Sequence, residues 1–405
     1  MTRVPRHVSF RGFRDADFAH GTHLGTRPAT RPGSAVLEYG DPAGLCHWTD
    51  EYVAEPQPRA YAWTSWVSPQ VSPGFAFTEL VPSWNASTPG DSWLSLEARV
   101  SVDGTAWSHW FALAVWAETD DELHAASSPR AQADDVADVS TDVLQAHDGV
   151  AFTAYQLKVS LLRAPSSAAV PTVRMLGAMV SAVPEQAPAA TSPGGEAWGV
   201  ELPVPPHSQQ LHRDTFPQWA GGGEAWCSPS STTMVLERWG LGPTATDVAW
   251  VPDGSPDPQV VHAARQTFDH VYGGCGNWTF NTAYAGRFGA EAFVTRLRSL
   301  TELETLVAAG VPVVATVAFD QGGLPGAGYE TRGHLLVVVG FTGTGDVVAN
   351  DPASRRERSN HAVRAVYDRA AFERVWLGSS GGVVYLIRPA DVPLPPVPDP
   401  AQPNW

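Results

Sequence analysis

The chain predicts an α+β protein: an antiparallel β-sandwich in its amino-terminal half, then a domain in which helices pack on an antiparallel sheet. Three observations carry that prediction. Segments such as 93–102 and 155–161 alternate apolar and polar residues with a period of two, which puts one face on a core and the other in water. Residues 183–199 shift to Pro, Ala, Ser, Thr and Gly and lose all apolar periodicity. Beyond them, helical spacing and short β-branched runs follow one another.

Residues 1–183 read as the sandwich, with alternating or apolar segments at 75–81, 93–102, 110–115, 155–161 and 172–180. This half holds eight of the sixteen Trp residues, among them Trp63, Trp66, Trp84, Trp93, Trp107, Trp110 and Trp116. Buried, they fill a sandwich; exposed and stacked on sugars, they would make a carbohydrate-binding module. Burial is expected for most, and a carbohydrate ligand for a few stays open. Residues 184–199, with Pro184, Pro188, Pro193, Gly194 and Gly195, read as a linker, and 200–405 as the second domain. There, Pro229 is suited to open a helix whose stripe is Met234, Val235, Arg238 and Trp239, with Gly240 ending it. Leu300, Leu303, Leu306 and Val307 mark another helix, stopped by Gly310 and followed by a strand over 311–318. The run 333–341 is a buried strand, 342–346 a turn, 347–349 the returning strand, and 383–387 a further strand.

Chemistry concentrates in this second domain. Cys227 lies at a helix start, where the positive end of the macrodipole favours the nucleophilic thiolate. His334 sits at a strand edge, and the hairpin over 342–346 returns the chain to Asp351. The imidazole at one strand end can therefore meet the carboxylate at the other, the arrangement of a base and its orienter. Cys275, in Gly273-Gly274-Cys275-Gly276, is a poor nucleophile because no helix is read after it. Gly378-Ser379-Ser380-Gly381-Gly382 has the spelling of a serine-hydrolase elbow, but a strand rather than a helix follows, so a loop is expected. His207 and His212 lack any metal-site spacing, and neither metal nor other cofactor is expected.

Several stretches together carry a family resemblance: Val204-Pro205-Pro206-His207-Ser208-Gln209, Trp226-Cys227-Ser228-Pro229-Ser230, residues 276–284, Gly333-His334-Leu335-Leu336 and Asn350-Asp351-Pro352-Ala353. Over residues 200–389 the chain resembles the C39-like peptidases, a bacterial papain-like group related to the leader-removing peptidases of bacteriocin exporters. The resemblance implies a papain-like α+β domain in which Cys227 is the nucleophile, His334 the general base and acid, and Asp351 the orienter. It also implies an oxyanion donor at Gln209, with Gln210 and Gln218 as substitutes and the Cys227 N–H as second donor. Losing one such donor costs about 3 kcal/mol of transition-state stabilisation. The expected function is a cysteine peptidase that hydrolyses peptide or protein substrates through a thioacyl-enzyme. A transglutaminase-like enzyme or a peptidoglycan amide hydrolase would use the same triad, and a non-catalytic glycan-binding protein is the reading without turnover.

The formal charge of −16 argues against nucleic acid or anionic membranes as partners. No segment is apolar enough to span a bilayer, and the amino terminus lacks the apolar core of a secretory signal. The chain as written is expected in the cytoplasm, or outside the cell if the start is misplaced or a leader is missing. Three cysteines cannot build a disulfide framework.

Overall fold

A computed structural model of the protein describes residues 5–31, 34–121 and 126–405; residues 1–4 of the amino-terminal stretch read above lie outside the described residues. The chain divides into two compact units. One comprises Phe10–Ala182 with Phe268–Gly273, and the other Val183–Thr267 and Gly274–Trp405 with the described residues up to Ser9.

The first unit is built from strands in two antiparallel sheets, a β-sandwich. Its alternation is exact in register. Leu94, Leu96, Ala98 and Val100 of Trp93–Ser101 stand opposite Leu161, Val159, Leu157 and Tyr155 of Ala154–Arg163, and all eight are buried. The segment expected at 75–81 is displaced, the strand running Glu79–Ser87 instead. This strand carries Pro82 opposite Ala178 of Thr172–Ala182, while its other neighbour reaches only Glu79 and Leu80. Pro82 thus occupies an edge stretch, where a missing N–H is harmless. Strands Gly44–Thr49 and Pro58–Val67, not anticipated, extend the second sheet. Trp66, Trp84, Trp93 and Trp116 are buried, while Trp48, Trp63, Trp107 and Trp110 are half-buried.

The second unit is the α+β part. Its strands are β1 (Ala290–Arg296), β2 (Val313–Phe319), β3 (Thr331–Phe341), β4 (Val347–Asn350), β5 (Arg364–Tyr367) and β6 (Val383–Pro389). They form one antiparallel sheet in the order β1-β6-β2-β3-β4-β5. Its helices are α1 (Cys227–Arg238), α2 (Pro258–Thr267), α3 (Trp278–Arg287), α4 (Leu300–Ala308) and α5 (Arg369–Ser379). Helix α1 packs on β3 and β6 and against α2 and α3.

Helix α1 starts two residues before Pro229, which occupies the first turn, where no intrahelical N–H is required. It is buried on every side from Cys227 to Leu236 rather than along one stripe. Its small polar residues allow this because they are bonded: Ser228 with the Tyr385 hydroxyl at 2.9 Å, Ser231 to the Leu335 carbonyl at 3.1 Å, and Thr232 to Asn281 at 3.3 Å. Gly240, at φ +67°, closes it: its N–H donates to the Glu237 carbonyl and that of Leu241 to the Leu236 carbonyl, the paired bonds of a Schellman motif. Helix α3 does follow Cys275, capped by Asn277, because the Asn side chain accepts from the Thr279 and Phe280 N–H groups. The Gly-x-Ser-x-Gly run straddles the end of α5 and precedes β6, and the Ser379 and Ser380 hydroxyls donate to the Val375 and Thr316 carbonyls. A helix before and a strand after is the reverse of a nucleophile elbow.

Residues 184–199 are fastened into this unit. The Ser192 N–H donates to Glu373 at 2.7 Å, and the N–H groups of Gly195 and Glu196 donate to Glu304 at 2.8 and 3.1 Å. Among the described residues, no helix is long and apolar enough to cross a membrane.

Candidate active site

Cys227 is the first residue of α1, where backbone N–H groups have no helical partner, and the Ser228 N–H acts on its sulfur. Strand β3 passes beneath and delivers His334 from a point where its pairing with β2 shifts register, between Val317 and Phe319. The β3–β4 hairpin pairs Val337 with Asn350, and the next residue is Asp351. His334 Nε2 lies 2.8 Å from Asp351 Oδ1, and the ring is hydrogen-bonded to Cys227 on its other side, which leaves Nδ1 for the sulfur. Cys227, His334 and Asp351 are thus brought into one chain of hydrogen bonds, in the order read from the sequence.

Electrostatics follow from that chain. Cys227 keeps 9% of its surface exposed, His334 3% and Asp351 none, so the carboxylate is sealed and exposure rises along the row toward Cys227. Burial works to raise the Cys227 thiol. It is outweighed by the His334 charge, the hydrogen bond from that ring and the N–H groups of Leu335 and Ser228, which together hold the thiol below its ordinary value. Burial likewise disfavours the imidazolium, but Asp351 and the thiolate raise His334 to about 10. Asp351, despite burial, is held below the usual carboxylate range by His334 and two tyrosines. Each of the three groups is thus shifted toward its charged form by its neighbours.

Those tyrosines were not anticipated. Tyr329, in the loop between β2 and β3, and Tyr367, ending β5, both donate to Asp351 Oδ2, at 2.7 and 2.5 Å. The Ala353 N–H donates to Oδ1 at 2.9 Å.

Gln209 lies beside the same constellation. Its backbone N–H donates to the Pro352 carbonyl at 3.1 Å, and its side-chain Nε2 donates to the Glu224 carbonyl at 2.7 Å, three residues before Cys227. Gly223 makes this possible: a Cβ there would fall 2.3 Å from the Gln209 carbonyl oxygen. Gln210 is also buried, its Oε1, like that of Gln209, having no partner among the described residues, and Gln218 is exposed. Only Gln209, of the three, is tied by its amide to the approach to Cys227.

The histidines set aside as metal ligands have other partners. His207 Nε2 lies 2.8 Å from Glu237, and Nδ1 lies 3.2 Å from Asp257, whose other oxygen accepts from Asn360 at 3.0 Å. The Asn360 side-chain Oδ1 accepts from the Ser208 N–H at 2.6 Å, so this network anchors the residue before Gln209. Burial opposes the charge on His207, but the two carboxylates raise it to about 9. Burial lowers His212 to about 4 and leaves a neutral ring against Trp226. The pattern of a buried His between two acids separated by thirty and fifty residues has no local signature.

The search of curated proteins returns no match. Among family models, residues 9–181 match the Peptidase C39 N-terminal domain and residues 201–384 match the Peptidase_C39 like family. The second match contains Gln209, Cys227, His334 and Asp351, and the first spans the sandwich. By these two matches the chain belongs to the C39-like peptidases and carries that family's N-terminal domain ahead of its peptidase domain.

Proposed function

We propose that the protein is a cysteine peptidase that cleaves peptide bonds through Cys227, His334 and Asp351, with Gln209 as an oxyanion donor. The observation that carries the reading is the hydrogen-bonded chain from Cys227 through His334 to Asp351, with the thiol held low against its own burial. The Cys227 sulfur attacks the carbonyl carbon of the scissile bond, and the carbonyl oxygen takes up the negative charge. The Cys227 N–H and the Gln209 Nε2 hydrogen not given to Glu224 stabilise that oxygen. His334 passes its proton to the leaving amine, the C–N bond breaks and a thioester remains. The neutral ring then takes a proton from water, hydroxide adds to the thioester, and the acid leaves as the sulfur regains its charge. Asp351 keeps the ring oriented throughout. The family matches support residues 1–183 as an accessory domain and 200–405 as the peptidase domain, joined by 184–199.

The test is alkylation with iodoacetamide, with peptide mapping and hydrolysis followed in parallel. One label on Cys227 and a proportional loss of hydrolysis are expected. Full hydrolysis by protein completely alkylated at Cys227 would overturn the reading.

A further inference from the structure

A buried carboxylate beside a buried imidazole can settle as two charges or as two neutral groups, and what surrounds the carboxylate decides between them. Asp351 has no exposed surface, so protein donors must replace every water it gives up. Its Oδ1 accepts from His334 and the Ala353 N–H. Its Oδ2 accepts two phenol hydroxyls and, among the described residues, nothing else, from elements far apart in sequence. Burial first, then the Asp351 charge, push both phenols upward, so each stays protonated and can only donate to that oxygen. The Tyr329 ring also stands edge-on to the His334 ring, with centroids 5.3 Å apart at 71°.

We propose that Tyr329 and Tyr367 are positioning residues: their hydroxyls, converging on the Asp351 oxygen that His334 does not use, hold the carboxylate ionised and turned so that the ring stays protonated and aimed at Cys227. The inference rests on the cysteine peptidase reading. The groups facing Asp351 are His334 from β3, Cys227 across the ring from α1, Tyr329 from the β2–β3 loop and Tyr367 from β5, with Arg355 acting on Tyr367 from beyond β4. The sign follows. Without the hydroxyls the charged carboxyl loses donors and protonates more readily as pH falls. Once it is neutral, the imidazolium has no counter-charge and returns its proton to the sulfur. The acid limb of thiolate reactivity therefore moves to higher pH.

The experiment measures the rate of Cys227 alkylation by iodoacetamide against pH in the full-length protein, Tyr329→Phe, Tyr367→Phe, the double variant, Asp351→Asn, and Asp351→Asn carrying both Phe changes. Thermal unfolding checks that each is folded. The expected result is an acid midpoint raised by about one pH unit per hydroxyl removed, or roughly tenfold slower alkylation below it, with no further movement of the midpoint in the Asp351→Asn background. An unchanged midpoint, or a rate lowered by one factor at every pH, would overturn the proposal, as would a shift of equal size without the carboxylate. If Tyr367→Phe does not fold, Tyr329→Phe decides alone. A wild-type Cys227 no more reactive than free cysteine at about pH 6 would instead sink the peptidase reading itself, and the inference with it.

Discussion

The head of α1 and the run into α3 each present a buried cysteine, yet the two thiols are opposites. Cys275 has 1% of its surface exposed; its sulfur donates to the Ala264 carbonyl at 3.4 Å, and burial followed by the Cys227 charge pushes the thiol up. Cys227 meets the same penalty of burial and is nevertheless driven down. The difference lies in what each sulfur touches. One faces a carbonyl oxygen, which can only accept; the other faces a charged ring and two N–H groups. Burial thus amplifies whatever electrostatic company a thiol keeps rather than silencing it.

The strongest way to break this comparison is Cys227→Ser, for which peptide hydrolysis should fall by on the order of 10⁴–10⁶ in kcat/KM while the fold persists, as read by thermal unfolding. Survival of most activity would mean that the low thiol is not the nucleophile. A sharper cut is His334→Gln, which leaves Cys227 on its helix and removes the ring charge. Cys227 should then behave like Cys275, with alkylation at neutral pH slowed by about 10²-fold. In the unaltered protein His334 is raised to about 10, so its proton is present through neutral pH and lost as pH climbs past that value. Turnover should accordingly hold across neutral pH and decline on the alkaline side, and a plateau undisturbed well above that range would contradict the ion pair. The smallest effect is expected from Cys275→Ser, with hydrolysis within about twofold of wild type and the single alkylation site retained.

Much of the candidate site is legible in the sequence, because its chemistry rides on local patterns. Cys227 lies at a proline-marked helix start, and the turn of residues 342–346 fixes how the strand bearing His334 meets the one that leads into Asp351. The helix itself was read as amphipathic, and it is buried throughout, since the bonds of Ser228, Ser231 and Thr232 to other elements leave no trace in spacing. Tyr329 and Tyr367 were missed for the same reason. The first ends a loop whose only cue is its run of glycines, and the second ends a four-residue strand; what unites them is one oxygen atom reached from both. The strand Glu79–Ser87 was displaced in the reading because Pro82 and Asn85 weaken its pattern, and pairing along an edge rescues it.

Glu304 bears on where a shortened protein can begin. Its buried carboxylate accepts from the N–H groups of Gly195, Glu196 and Ala197, takes the Trp198 indole N–H at 3.2 Å, and is paired with Arg369. A truncation starting at residue 200 deletes four of these five donors and strands an anion in the interior, whereas one starting before Ser192 keeps them all. The Pro- and Ala-rich stretch that composition paints as a loose tether is, in its second half, bonded into the unit that follows it, so a shortened protein is better begun ahead of Ser192.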